Sequence, residues 1–218
     1  MTDSLVLKAS EIRKDFNRRT IFNHISFELT IHDSISITGR NGSGKSTLVK
    51  ILSGLLSPTA GSVTLTTGST SIHPERRREF LGFVAPYLQL YDEFSGYENL
   101  LLATRIRGRE CIASEMEGLL ERVGLTPFRY ERVSTYSSGM KQRLKYAFAL
   151  LHKPTLLILD EPMSNLDEPG VQMERTMIED QTQIGIVIVA TNDAEEARMC
   201  QHNLDLTLAN PSEVTVFP

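Results

Sequence analysis

The nine residues Gly39, Arg40, Asn41, Gly42, Ser43, Gly44, Lys45, Ser46 and Thr47 constrain this chain more than any other stretch. They fit the pattern G-x-x-x-x-G-K-[ST], carried by Gly39, Gly44, Lys45 and Ser46. The β-branched run Ser34-Ile35-Ser36-Ile37-Thr38 precedes them, and Leu48-Val49-Lys50-Ile51-Leu52 follows with helical spacing. Strand, glycine-rich loop and helix in that order build a cradle for a polyphosphate. Gly42 and Gly44 can take backbone conformations closed to other residues, so successive N–H groups turn inward on an anion. A helix beginning near Lys45 adds the positive end of its dipole. Lys45 then reaches the β- and γ-phosphates of a triphosphate, and the Ser46 hydroxyl is placed to ligate Mg²⁺.

The rest of the chain supplies a layered α/β frame for that loop. Leu5 to Leu7 and Ile25 to Leu29 read as strands of an N-terminal antiparallel β part, and Val63 to Thr66 as another after a turn at Gly61. Phe83-Val84 belongs to a buried strand. Leu156 to Leu159 and Gly185 to Ala190 are apolar at successive positions, as strands of a parallel sheet covered on both faces are. From Glu98 to about Val123 the spacing turns helical, with Leu100, Leu101, Ile106, Ile112, Met116, Leu119 and Leu120 apolar and Gly108 dividing two helices. Met140 to Leu151 is a further helix. This predicts one domain, a mainly parallel sheet core over about 1–85 and 154–218 with a helical subdomain over about 86–153.

Composition excludes several other classes. The chain has 218 residues and a net charge of −4. It has no basic tail, and Arg76-Arg77-Arg78 between Glu75 and Glu79 reads as a solvated helix start, so no nucleic-acid partner is expected. Cys111 and Cys200 are the only cysteines, which reads as two reduced thiols without a metal site. The start, MTDSLVLKAS, lacks the basic and apolar parts of a signal peptide. No apolar run approaches the roughly 20 residues needed to span a bilayer. A cytoplasmic protein is expected, with any membrane part supplied by another chain.

Two further motifs fall where the loop needs them. Leu156-Leu157-Ile158-Leu159 ends on Asp160-Glu161-Pro162. A parallel strand delivers such carboxylates to the sheet edge that bears the glycine loop. Asp160 can hold Mg²⁺ opposite Ser46, and Glu161 can orient or deprotonate an attacking water. Tyr136-Ser137-Ser138-Gly139-Met140-Lys141-Gln142-Arg143 precedes a helix. Two serines and a glycine there cap the helix and also form an anion site.

That octet resembles the LSGGQ-type signature of ATP-binding cassette (ABC) ATPases, P-loop NTPases. LLILDEP resembles the family's Walker B, and Ser164-Asn165-Leu166-Asp167 its D-loop. The resemblance covers nearly the whole chain in the family's motif order. It implies a head-to-tail pair of cassettes, each ATP held with Mg²⁺ between one P-loop and the partner's Ser137, Ser138 and Gly139. It further implies that Phe16 stacks on adenine, although the position also suits core. Asp167 would help to cross the dimer interface, and Tyr87 to Tyr97 would form the docking groove for an integral membrane transporter subunit. The aromatic and apolar side chains of Tyr87-Leu88-Gln89-Leu90-Tyr91 suit such a surface or fold inward.

Two positions depart from the pattern. Pro86 stands where the family has its Q-loop Gln, with Gln89 three residues on. Asn192 stands where the family has its H-loop His. Asn can hydrogen-bond a γ-phosphate but gains no proton near neutral pH. Slow hydrolysis by Glu161 is therefore expected. The short tail after Asn192 and ITGRNGSGKST look like cassettes of the haem-exporter or cytochrome c maturation type, and SGMKQR like drug or lipid exporters. The competing reading is a soluble ABC ATPase without a transport role, followed by a nucleotide-binding module without catalysis; a P-loop kinase ranks last. The expected assembly is a homodimer or a pairing with a second cassette. Through its membrane partner the protein would lie at the inner face of the cell membrane.

Overall fold

The computed structural model describes residues 5–17, 19–110, 112–207 and 215–216. The readings made on Met1 to Ser4, on Cys111 and on Val214, Phe217 and Pro218 lie outside them.

Alternation organises the N-terminal part. In β1 (Leu5–Phe16) Leu5, Leu7 and Ala9 are buried and Lys8 is exposed; in β2 (Arg19–Thr30) Ile25, Phe27 and Leu29 are buried and Glu28 is exposed. Side chains two apart share a face, so this pattern lays one apolar face on the core. Both strands are much longer than their apolar triplets suggest. Shifts in the antiparallel β1–β2 register coincide with positive φ at Glu11 (49°) and His24 (55°), and such bulges carry pairing past a break in alternation. β3 (Ser34–Thr38) leaves this sheet and feeds α1 (Lys45–Leu52). β4 (Ala60–Thr67) and β5 (Thr70–Ser71) complete a four-stranded sheet in the order β2-β1-β4-β5. Gly61 lies inside β4 rather than in a turn before it. Its φ is 81°, and a Cβ there would lie 2.2 Å from the Glu11 carbonyl oxygen, so the bulge of β1 requires glycine opposite.

The second sheet runs β10-β9-β3-β8-β7-β6. Its members are β3, β6 (Leu81–Val84), β7 (Leu156–Asp160), β8 (Ile186–Ala190), β9 (His202–Asp205) and β10 (Thr215–Val216). The five strands from β9 to β6 are parallel, and β10 pairs antiparallel at the edge. Every residue of β7 and β8 is buried. Period two explains why. Ile35, Ile37, Leu156, Ile158, Ile186 and Ile188 face α1 and the N-terminal sheet. Leu157, Leu159, Val187 and Val189 face the helices on the other side.

Those helices are α2 (Gly96–Ile106), α3 (Ala113–Arg122), α4 (Ser138–Leu150), α5 (Glu168–Thr182) and the short α6 (Ala194–Ala197). Among the described residues, the only strand-like pairing between 86 and 153 is one isolated bridge, Ser95 to Arg132. α2 opens on a capping box in which Ser95 Oγ accepts from Glu98 N–H and Glu98 accepts from Ser95 N–H, worth roughly 1 kcal/mol. It ends before Gly108, whose φ is 66°. Ile106 and Ile112, expected on the apolar face, are 71% and 46% exposed. They flank the turn between α2 and α3 and fall off the packed stripe. Arg77 also departs from expectation: it is buried in a 3₁₀ turn and donates to the Val63 carbonyl oxygen. Its long side chain reaches the backbone of β4, while Arg76 pairs with Glu79 outside. Among the described residues no helix is long and apolar enough to cross a membrane.

Candidate functional site

Parallel pairing sets the site. Ile37 is level with Ala190, and Asp160 with Ala190. The residues after β3, β7 and β8 therefore emerge side by side at one sheet edge. The loop after β3 holds Gly39, Gly42 and Gly44 at φ 146°, 80° and 106°. Gly44 caps α1, and no side chain satisfies the first-turn N–H groups. A Cβ on Gly44 would lie 2.5 Å from Ile21 Cγ2 and 2.9 Å from Phe22 Cδ1. Those two β2 residues fix the loop from behind. Gly42 has nothing within 4 Å of a built Cβ, so the loop crest is open. Arg40 and Asn41 are exposed, and Ser43 Oγ is buried without a partner.

Lys45 is buried, and its Nζ donates to the Gly39 carbonyl oxygen at 2.9 Å and to Asn192 Oδ1. Glu161 Oε1 lies 3.8 Å from the same ammonium and accepts from Asn192 Nδ2 at 3.1 Å. Asn192 Nδ2 also meets Asn41 Oδ1. Ser46 Oγ donates to Asp160 Oδ1 at 3.1 Å, while Asp160 Oδ2 is buried without a partner. Burial pushes the Asp160 carboxyl up; the Ser46 bond lowers it and the Glu161 charge raises it. Thr47 follows on the first turn of α1, half-buried. Glu161 itself sits at φ 48°, with its N–H bonded to the Ala190 carbonyl oxygen at 2.8 Å. A non-glycine residue in this strained region, just past a buried strand, turns its carboxylate back over the loop.

A hydroxyl and an unpartnered carboxylate oxygen, both hard donors, fit Mg²⁺. Among the described residues no three His, Cys, Asp or Glu side chains cluster as a metal group. An uncapped helix start behind three left-handed glycines fits a phosphate chain. A shallow cavity of about 550 Å³ opens there, lined by Gly39, Arg40, Asn41 and Asn192.

The second anion-type helix start is α4. Ser137 caps it, its Oγ accepting from Met140 N–H at 3.2 Å, and Ser137 and Ser138 are exposed. A Cβ on Gly139 would come 2.9 Å from the Asn165 carbonyl oxygen. Gln142 Nε2 donates to the Pro162 carbonyl oxygen at 2.8 Å, and Arg143 pairs with Asp167. Asp167 also caps α5 through Gly170 N–H, and the Arg143 guanidinium holds its carboxyl below the usual range. Within one chain Asp167 is thus tied to the signature helix.

Phe16 is 44% exposed at the end of β1, with Lys14 Nζ 4.9 Å from its ring centroid, and so is not core. Tyr87, Tyr91 and Phe94 are exposed too. The Pro86 segment is held by Lys145 Nζ, which donates to the Ala85 and Pro86 carbonyl oxygens at 3.1 Å each. Gln89 lines a cavity beside Arg78 and Arg107, and none of its hydrogen bonds joins Ser46 or Asp160. Tyr87 is within electrostatic reach of Asp160: Lys50 Nζ lies 4.2 Å from its ring centroid, and burial and the Asp160 charge push its hydroxyl up. Sequence reasoning also missed the link from the Asn192 loop to the interior. Thr191 Oγ1 donates to buried Glu196, and Asp193 caps α6 by accepting from Glu195 and Glu196 N–H. Asp193-Ala194-Glu195-Glu196, a cap residue before acids, was the available signal.

Fold and site together define a P-loop ATPase with a signature helix on a separate helical layer. The ABC transporter family description matches residues 22–164. The chain is 37% identical to the uncharacterised ABC transporter ATP-binding protein YdbJ of Bacillus subtilis (strain 168) over 80% of its length, spanning only 56% of that protein. It is 35% identical to the lantibiotic transport ATP-binding protein SrtF of Streptococcus pyogenes, covering 86% of this chain and 80% of that one. It is 34% identical to the lipoprotein-releasing system ATP-binding protein LolD of Hydrogenovibrio crunogenus (strain DSM 25203 / XCL-2), over 93% and 94%. The dimeric, ADP- and Pi-bound post-hydrolysis structure of the cassette MJ0796 shares the fold, with TM-score 0.83 and 20% identity over 97% of this chain and 99% of that one. The chain belongs to the ABC transporter family, as its ATP-binding subunit.

Proposed function

We propose that this chain binds and hydrolyses ATP as one half of a cassette dimer that drives a separate membrane-spanning subunit. The observation that supports this most is the Glu161 carboxylate, turned by its own backbone to 3.8 Å from Lys45 Nζ and bonded to Asn192. Lys45 exchanges its internal acceptors for β- and γ-phosphate oxygens, and the first-turn N–H groups from Lys45 to Thr47 close on the phosphates. Ser46 and Asp160 would hold Mg²⁺, which when bound would neutralise charge developing on the phosphates. Glu161 takes the proton of the attacking water. Asn192 donates to the γ-phosphate but supplies no positive charge. A neutral donor in place of a charged one costs about 1 kcal/mol of transition-state stabilisation, so turnover is reduced several-fold. Phe16 stacks on the adenine. Ser137, Ser138 and Gly139 of a second cassette complete the γ-phosphate site, and Asp167 lies at that junction.

Residues 1–85 and 154–218 act as the nucleotide core and 86–153 as the helical arm. The protein works at the inner face of the cell membrane, and the exposed Tyr87 to Tyr97 segment contacts the membrane subunit. Relatives named for lantibiotic transport and lipoprotein release support a transport role.

Glu161→Gln is expected to reduce phosphate release at least 100-fold and to accumulate an ATP-bound dimer in size-exclusion light scattering. Unchanged turnover would refute the assigned role. Purification from detergent-solubilised native membranes should recover a stoichiometric membrane-spanning protein. Recovery with soluble partners only would favour a cassette without a transport role.

A further inference from the structure

Three helices bury a polar knot behind the Asn192 loop. Tyr146 of α4, Glu174 of α5 and Glu196 of α6 are 0%, 0% and 1% exposed. Tyr146 and Glu196 both act on Glu174 from hydrogen-bonding range. Yet Tyr146 Oη, Glu174 Oε1 and Oε2 and Glu196 Oε1 are buried without a well-aligned partner. Among the described residues neither carboxylate forms an ion pair, and Arg175, next on α5, pairs with Glu195 at 3.8 Å. Two carboxylates that adjoin in a buried site without a cation do not both ionise, so the pair carries one proton at neutral pH.

The neighbours decide which acid holds it. Glu196 Oε2 accepts from Thr191 Oγ1, and the Met163 N–H also favours the Glu196 charge, against the like charge of Asp193. Glu174 has the Tyr146 hydroxyl and the Arg175 charge on its side, and burial and the Glu196 charge outweigh them. The proton therefore sits on Glu174. Burial also pushes the Tyr146 hydroxyl up, and the Cys200 thiol up to about 12, so both stay protonated beside the pair. Thr191 carries the effect outward. Its N–H donates to the Ile37 carbonyl oxygen at 3.0 Å, and its Oγ1 accepts from Asp193 N–H at 2.9 Å. A hydroxyl has one proton to give, so an ionised Glu196 fixes its direction. The next residue is Asn192, which meets Lys45 and Glu161.

We infer that Glu196 is a positioning residue for hydrolysis: kept ionised by the proton on Glu174, it holds Thr191 and through it sets Asn192 over Lys45 and Glu161. The inference rests on the roles proposed for Asn192 and Glu161 and adds the buried pair that aims Asn192. When Glu174 loses its proton, two adjoining charges repel and the Thr191 bond is disturbed.

The test uses the purified full chain. Infrared difference spectra of wild type against Glu174→Gln should show the carbonyl band of a neutral carboxylic acid near neutral pH, fading as pH rises to about 9.5. Over the same range wild-type turnover should fall about twofold relative to Glu174→Gln, which has no proton to lose there. Glu196→Ala should lower turnover about fivefold with affinity for a fluorescent ATP analogue unchanged. Glu196→Gln, whose amide oxygen still accepts from Thr191, should restore it. In an Asn192→Ala background Glu196→Ala should cost nothing further, as a residue acting through Asn192 must. No neutral-carboxyl band, parallel pH profiles for wild type and Glu174→Gln, or an equal loss from Glu196→Ala in both backgrounds would each overturn the inference while leaving the hydrolytic reading in place. If Glu196→Ala does not fold, the band and the Glu174→Gln profile decide alone. Unchanged turnover in Glu161→Gln would remove the hydrolytic reading and the positioning role with it, whatever the band shows.

Discussion

Two helix starts in this molecule are assigned to the same phosphate, and they are built in opposite ways. α1 begins on Gly44 at φ 106° with no side-chain cap. α4 begins on Ser137, which caps its own helix through Met140 N–H. The first leaves its N–H groups unsatisfied and holds them in place from behind with Ile21 and Phe22. The second is satisfied within the chain, tied to the turn after β7 through Gln142 and to the D-loop through Arg143 and the close approach of Gly139 to Asn165. An unsatisfied, rigid helix start draws an anion strongly; a capped one adds only what its exposed hydroxyl and remaining dipole supply. On the proposed reading, one chain would bind a nucleotide alone, and the signature end of a second copy would complete the site.

Gly44→Ala attacks the first start and carries the largest expected effect. A left-handed φ and a Cβ 2.5 Å from Ile21 Cγ2 force the loop to move. Nucleotide affinity should fall at least 100-fold, about 3 kcal/mol, with the chain still folded. Titration with a fluorescent ATP analogue measures this, and an affinity within a few-fold of wild type would break the contrast.

Ser137→Ala attacks the second. Losing the cap costs about 1 kcal/mol of helix stability. Affinity for the ATP analogue should stay within twofold, while turnover at saturating ATP should fall about tenfold. A loss of affinity equal to that of Gly44→Ala would show that both starts bind within one chain.

The contrast also explains what the sequence made visible. The glycine loop, Asp160-Glu161 and the signature octet were legible because each is a local run whose chemistry depends on neighbours in the chain. Strands β7 and β8 were legible because burial on both faces removes polar residues. What stayed hidden was set by distant partners. β9 reads His202-Asn203-Leu204-Asp205, too polar for a strand, yet it pairs parallel with β3. The bulge at Glu11 became visible only once Gly61 stood opposite. Helix α5 carried its signal, Asp167 before Pro169, but its sequence is polar over most of its length. The Tyr146, Glu174 and Glu196 cluster draws on three helices, and no local pattern announces it.

Asn192→His tests the γ-phosphate end of the α1 site. Asn192 now bridges Lys45, Glu161 and Asn41. An imidazole can take a proton near neutral pH and supply the missing charge. Turnover should rise a few-fold, most below about pH 7, with nucleotide affinity unchanged. A loss of affinity would place Asn192 among the residues that hold the ground-state nucleotide.

The smallest effect comes from the interior that joins the two starts. Glu174 of α5 is fully buried, facing Tyr146 of α4 and Glu196 of α6, and Glu196 holds Thr191 beside Asn192. Burial first, and then the Glu196 charge, push the Glu174 carboxyl well above its ordinary value of 4.5. The folded chain therefore binds more protons than the unfolded one above about pH 4.5. The contribution of this group is complete below that pH and is lost as pH rises toward its folded value. Glu174→Gln removes the titration while keeping the shape. Its melting temperature should match wild type near pH 5 and exceed it by about 3 °C near pH 8, the shift that about 1 kcal/mol gives at this chain length. Nucleotide affinity should not change, since neither helix start is touched. A gain that is equal at both pH values, or larger near pH 5, would mean that Glu174 is ionised in the fold and that its charge is matched by a partner within the α4–α6 interior.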